Sequence, residues 1–257
     1  MNKIIQGDCL EVMRGFEEAS VDLTVTSPPY DDLRIYGGYS FDFEPIAREL
    51  YRVTKDGGVV VWVVGDQTKN GSESGTSFKQ ALYFKEVGFN LYDTMIYAKT
   101  NYIPLTHRRY EQQFEYMFVL SKGIPKTFNP LMKKNWQSGA IKGGNFRQSD
   151  DTQSYRHKDM GVAEKSIKPN IWFYDVGMNN STRDKQAFDH PAIFPEQLVA
   201  DHINSWSNEG DLVLDPFNGS GTTTKMAKLL NRDYIGIEIN PEYCKIAGDR
   251  LKQEVLL

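Results

Sequence analysis

The residues of this chain best suited to chemistry are Ser27, Pro28, Pro29 and Tyr30, which follow Thr26 at the end of the apolar run Val21-Asp22-Leu23-Thr24-Val25. A short hydrophobic run ending in a polar group, two prolines and an aromatic predicts a strand that delivers a stiff loop to a sheet edge. Proline fixes its own φ and pushes the residue before it toward extended geometry. Ser27 and Pro28 both precede a proline, so the Ser27 hydroxyl and the two carbonyls are aimed rather than free. Tyr30 adds a flat π-face beside these acceptors. Such a site suits a planar ring with an exocyclic amino group, the ring stacked on Tyr30 and its amino hydrogens directed at fixed oxygens. An ordinary Pro-Pro turn with a packed tyrosine satisfies the same residues.

A second group lies near the C-terminus. Asp215-Pro216-Phe217-Asn218-Gly219-Ser220-Gly221-Thr222-Thr223 joins an expected strand to an expected helix. Gly219 and Gly221 allow close approach of backbone to a ligand. A helix starting at Thr222 turns free N–H groups toward the same space. No lysine sits where a triphosphate loop needs one, directly after its last glycine, which argues against such a loop. Glu238 ends the next expected strand, roughly 20 residues on, where nucleoside-binding α/β units place the carboxylate that holds ribose hydroxyls. A surface carboxylate at a strand end is the bland reading. Asp8 suits a helix N-cap or an acceptor for an adenine amino group, and the two roles are compatible. His190-Pro191 and Phe194-Pro195 form a rigid segment fit to wall an adenosine or methionine pocket, or simply to enter a helix.

Positioning these residues requires alternating elements. Strands are expected at Lys3–Gln6, 22–26, 59–64, 91–98, 114–120, 212–214 and 234–239. Helices are expected at 9–18, Phe43–Val53 (stopped by Gly57-Gly58), 77–86, 195–206, 222–230 and 241–253. That order predicts a mostly parallel sheet with helices on both faces and ligands at the carboxyl ends of the strands. Gly7-Asp8, Ser27–Tyr30, Asp215–Gly221 and Glu238 all fall at such ends. From 122 to 189 periodicity fails, so an irregular insertion is expected.

At 257 residues and 40% hydrophobic content the chain fits one large domain with an insertion. It has no run of membrane-spanning length, and its two cysteines, Cys9 and Cys244, lack metal-ligand spacing. A cytoplasmic protein without a disulfide or a metal is the natural expectation. Net charge is −4, yet residues 122–168 hold ten Lys and Arg against four acids. Trp136, Phe146, Tyr155 and His157 interleave with these bases. A basic stretch with aromatics on an acidic body suits nucleic acid. A solvated lysine-rich loop has the same charge.

Together these residues resemble the β-group amino (exocyclic nitrogen) DNA methyltransferases. Thr26–Tyr30 looks like the catalytic motif, Asp215–Thr223 like the cofactor motif, and Glu238 like the acidic residue after it. His190–Leu198 and Phe114–Lys122 are similar to further segments of that family. The resemblance implies a seven-stranded Rossmann-like methyltransferase sheet in permuted motif order, with one antiparallel strand. It implies S-adenosylmethionine as cofactor, held by Asp8, Thr26, His190, Pro191, Phe194, Asp215, Pro216, Phe217, Gly219, Gly221, Thr222, Thr223 and Glu238. It divides the chain into a catalytic half at 1–122, a target-recognition insertion at 123–189 and a cofactor half at 190–257. Double-stranded DNA is the expected partner, with Lys133, Lys134, Lys142 and Arg147 as its contacts. A homodimer and a separately encoded restriction endonuclease are further expectations by analogy. Ser27 at the first motif position goes with N4-cytosine transfer in the family. N6-adenine transfer is the alternative, and an RNA or protein-amide N-methyltransferase a more distant one. Loop 31–40, with Gly37-Gly38, is expected to close over a flipped base or to be merely exposed.

Overall fold

A computed structural model describes residues 2–29, 41–101, 108–136, 139–140, 144–148, 150–156, 161–177, 180–182, 184, 187, 193 and 195–253; of residues 139–140, 144–147, 153–156 and 161–162 it describes the backbone alone. The chain divides into two compact units, one of residues 1–129 and 170–257, the other Pro130–Pro169.

The larger unit carries an eight-stranded sheet. Its strands are β1 (Lys3–Gln6), β2 (Val21–Thr26), β3 (Thr54–Val64), β4 (Asn90–Lys99), β5 (Phe114–Ser121), β6 (Ile171–Tyr174), β7 (Leu212–Asp215) and β8 (Asp233–Glu238). Their spatial order is β1-β8-β7-β2-β3-β5-β4-β6. Only β5 runs antiparallel, pairing with β3 on one side and β4 on the other. The carboxyl ends of β1, β8, β7 and β2 therefore lie consecutively along one edge. The six helices are α1 (Cys9–Arg14), α2 (Phe43–Val53), α3 (Thr76–Val87), α4 (Glu196–Trp206), α5 (Thr222–Leu229) and α6 (Pro241–Lys252).

Burial explains the central strand. Val59 to Val64 are all buried, because both faces of β3 are covered. Val60, Trp62 and Val64 join a core with Met13, Leu50 and Phe84 from α1, α2 and α3. Alternation sends Val59, Val61 and Val63 to the opposite face. Trp62 is fully buried and still satisfies its indole, whose Nε1 donates to Gln80 Oε1 at 2.8 Å. Each such large side chain contributes roughly 1.5–3 kcal/mol by burial.

Four details differ from expectation. The sheet has eight strands rather than seven, because Ile171–Tyr174 pairs parallel to β4 at the far edge. That strand lies inside the span expected for the insertion, and the smaller unit is confined to Pro130–Pro169. Gly57 and Gly58 do not stop α2: the helix ends at Thr54 and the glycines lie inside β3. Gly57 has φ 78°, and its N–H donates to Lys122 O at 2.6 Å. A Cβ there would sit 2.4 Å from Lys126 Cγ, so the glycine permits a local kink against the chain leaving β5. Helix α1 ends at Gly15, shorter than the expected span to 18.

The smaller unit is less irregular than its sequence. Met132–Lys134 pairs with Lys165–Ile167, Gly139–Ala140 with Gly161–Val162, and Gly144–Arg147 with Gln153–Arg156, all antiparallel. The three two-stranded pairs are nested one inside the next in sequence, a ribbon of antiparallel pairs among the described residues. Its reversal is closed by Gln148 N donating to Thr152 O at 2.8 Å, with Thr152 Oγ1 on Asp150 Oδ1 at 2.6 Å.

Candidate active site

The edge formed by β1, β8, β7 and β2 collects the motifs. Ser27 and Pro29 are half-buried directly after β2, and Pro28 is buried. Tyr30 lies outside the described residues. Asp215 ends β7, adjacent to β2. Thr26 Oγ1 donates to Asp215 Oδ1 at 2.6 Å, across 189 residues of sequence. Phe217 N donates to the same oxygen at 3.0 Å, and Thr223 Oγ1 donates to Val25 O at 3.1 Å. The Ser27 loop and the glycine turn are thus fastened together at their roots. Thr26 and Asp215 are fully enclosed, so their side chains act as this fastening.

Burial pushes the Asp215 carboxyl up to about 6, against the lowering effect of its bonds from Thr26, Thr223 and Phe217 N. The charge of Glu238 raises it further.

The turn after Asp215 is built from backbone donors. Asn218 N donates to Ile237 O at 2.9 Å, and Gly219 N to Glu238 Oε2 at 2.8 Å. Asn240 N donates to Glu238 Oε1 at 2.8 Å, so each carboxylate oxygen already holds one backbone N–H. Each keeps a second lone pair. That is the geometry needed to accept from two neighbouring hydroxyls while the carboxylate stays fixed. Burial raises the Glu238 carboxyl, partly offset by the backbone donors of Asn240, Gly219 and Ile239. Phe217 packs edge-on against Phe41, with centroids 5.5 Å apart, which anchors the turn on the core.

Gly221 has φ 82° and begins α5. A Cβ there would sit 2.7 Å from Ala247 Cβ, so the close approach it allows is to α6. Thr222 and Thr223 are buried in the first turn of α5, and Pro216 and Gly219 are buried in the loop before it. On the other flank, Asp8 Oδ1 accepts from Leu10 N at 2.9 Å and Glu11 N at 3.1 Å, the N-cap of α1. Asp8 itself is exposed at the end of β1, beside Glu238 at the end of β8. His190, Pro191 and Phe194 lie outside the described residues.

One part of this edge has no precursor in the sequence reading. Arg250 of α6 is fully buried; its Nη1 donates to Ser220 O at 2.6 Å and to Thr222 Oγ1 at 3.3 Å. Its Nη2 donates to Glu196 Oε1 at 2.7 Å and its Nε to Asp184 Oδ2 at 3.1 Å. Lys225 of α5 meets the same two carboxylates at 2.8 and 2.6 Å. Burial raises the Asp184 carboxyl, but its bonds from Lys225 and Arg250 outweigh that and lower it from its ordinary value. This four-member network fixes the turn to Asp184 and to the start of α4.

A family model described as DNA methylase, of the N6 and N4 type, matches residues 21–249. The chain is 60% identical over 244 residues to the orphan methyltransferase M.BamHII of Bacillus amyloliquefaciens, a match spanning 93% of this chain and 92% of that one. The chain belongs to this DNA methylase family. It is a DNA methyltransferase whose methyl donor is S-adenosylmethionine. In a crystal structure of an M1.HpyAVI–SAM complex the match is 25% identical, covers 98% of this chain and all of that one, and has a TM-score of 0.65. The PvuII DNA methyltransferase, described as cytosine-N4-specific, covers 100% of this chain and 88% of its own at 22% identity and a TM-score of 0.73. That second likeness shows the shared fold.

The residues of this methyltransferase fit the donor. Glu238 offers two fixed acceptors for vicinal hydroxyls, and the carboxylates of Asp8 and Glu238 line the edge without a lysine at the glycine turn. An acidic cradle suits a cationic sulfonium nucleoside better than a phosphate. Among the described residues no group of His, Cys, Asp and Glu could hold a metal, and no helix is long and apolar enough to cross a membrane.

Proposed function

We propose that the methyltransferase transfers its methyl group to the N4 amino nitrogen of cytosine in double-stranded DNA. The observation that carries the reading is the Thr26–Asp215 bond at 2.6 Å, which holds the Ser27-Pro28-Pro29 loop beside the glycine turn. Ser27 is the residue that favours cytosine, since a serine at this motif position goes with N4 transfer in the family it resembles.

The amino nitrogen of cytosine is a poor nucleophile because its lone pair is delocalised into the ring. In this reading the Ser27 hydroxyl and the Pro28 carbonyl accept its hydrogens. That holds the nitrogen in place and favours a more pyramidal geometry. Developing positive charge on nitrogen is stabilised by the same fixed acceptors. Bound S-adenosylmethionine supplies an activated methyl carbon. Transfer then depends chiefly on orientation, which stiff acceptors provide. Glu238 holds the ribose hydroxyls, Asp8 accepts from the adenine amino group, and Asp215 with Thr26 keeps the two halves in register. Tyr30 stacks on the target ring.

The target base must leave the duplex, at a cost of a few kcal/mol. The ribbon of residues 130–169 is the target-recognition element. A two-stranded ribbon is narrow enough to enter the major groove. Lys133 and Lys134 are exposed on its first strand, fit to meet phosphates. Arg147 lies on the strand Gly144–Arg147, and Lys142 lies outside the described residues. The orphan name of M.BamHII favours reading this chain as a solitary modification enzyme, without an endonuclease partner.

Nucleoside mass spectrometry of DNA from cells expressing the chain tests this function. N4-methylcytosine is the expected product. N6-methyladenine would move the substrate to adenine, and no methylated amino base at all would overturn the reading.

A further inference from the structure

The ribbon carries an unusual residue. Trp136 is 99% exposed, whereas Trp62, Trp172 and Trp206 are all buried. Leaving an indole in water forgoes a large burial energy, so a partner surface is the natural occupant.

The backbone beneath Trp136 is firmly held. Asn135 N donates to Glu164 O at 2.9 Å, and Asn135 Nδ2 donates to Ala163 O at 2.8 Å. Ser166 Oγ donates to Asn135 Oδ1 at 2.6 Å. Asn135 is therefore clasped across the ribbon through its main chain and both ends of its amide. Trp136 follows this clasp in a bend two residues beyond Lys134, the last residue of its strand, where Lys134 pairs with Lys165.

Those two lysines stand directly opposite each other in the antiparallel register, and both are exposed. Like charges at facing positions destabilise a strand pair. A polyanion relieves that repulsion, while Lys133, paired with Ser166, presents its charge on the other face. An exposed apolar ring beside paired cations matches a nucleobase face flanked by phosphates.

We propose that Trp136 is a DNA-stacking residue, its indole packed on a nucleobase of bound duplex while Lys134 and Lys165 hold the neighbouring phosphates. This rests on the DNA reading above and adds to it the residue that grips the bases.

The burial pattern makes the test direct, because acrylamide reaches Trp136 before the three buried tryptophans. Sheared bacterial genomic DNA is the probe, with binding measured independently by filter retention. DNA should quench part of the tryptophan emission of the full chain and shield the remainder from acrylamide. Trp136→Phe should remove both signals and keep most of the affinity, since a ring remains. Trp136→Ala should weaken binding about tenfold while leaving the salt slope unchanged, because no charge is lost. DNA retained on the filter with acrylamide access unchanged would overturn the role of Trp136 and leave the methyltransferase reading intact. Failure of wild-type protein to retain any duplex would overturn both.

Discussion

The strand-end edge and the ribbon hold their functional residues in opposite ways. At the edge, Thr26, Asp215, Thr222, Thr223 and Arg250 are buried and tied to one another over long sequence separations. On the ribbon, Lys133, Lys134 and Lys165 of one strand pair, and Trp136 just beyond it, are exposed. The first arrangement over-determines a geometry before any ligand arrives. The second leaves like charges facing each other and a ring in water, which a partner must complete. In the proposed function, chemistry that depends on aim sits on the rigid part and contact with a long polyanion on the open part.

Perturbing each region should give different kinds of loss. The largest effect is expected at Arg250, where Arg250→Met leaves Asp184 and Glu196 with a single cation and strips Ser220 O of its donor. Breaking a buried pair in this way costs about 3–5 kcal/mol, measurable by urea denaturation. A loss below about 1 kcal/mol would show that the network does not hold the turn.

Asp215→Asn should alter the pH dependence. The folded carboxyl titrates at about 6, above its ordinary value of 3.8. Its stabilising contribution is therefore complete below pH 3.8 and is lost as pH rises through about 6. A neutral asparagine removes this component, so the two stability profiles should diverge between pH 4 and 6 by up to roughly 3 kcal/mol. Parallel profiles would mean that Asp215 is not held protonated by its burial.

Glu238→Gln replaces one acceptor with a donor facing a backbone N–H. S-adenosylmethionine affinity by calorimetry should fall about tenfold, with turnover at saturating donor nearly kept. Equal affinity would remove Glu238 from the donor site. The smallest effect belongs to the ribbon: Lys133→Ala with Lys134→Ala should lower the salt slope of DNA binding by about 2. An unaltered slope would take this pair off the phosphate surface.

The edge was largely legible in the sequence because its signals are local. Ser27-Pro28-Pro29 and Asp215 to Thr223 each combine residue types whose backbone preferences allow few geometries. Asp8 is the N-cap expected of it. What the sequence hid was long-range. Arg250 meets Glu196 and Asp184 across 54 and 66 residues, and no spacing rule joins them. Glycine misled at Gly57-Gly58 because a stop and a kink within a strand use the same residue. Strand β6 lies in the stretch expected to be irregular, although Ile171-Trp172-Phe173-Tyr174 is a run of strand-forming residues with alternating burial. Its four residues were masked by the charged, glycine-rich sequence before it.

The account turns on Ser27 gripping the base rather than the methyl donor. Turnover on duplex DNA and donor affinity, measured together on Ser27→Ala, separate those roles. The account predicts a fall in turnover of about a hundredfold with S-adenosylmethionine affinity within about threefold of wild type. Turnover kept near wild type, or donor affinity lost in step with it, would contradict the claim.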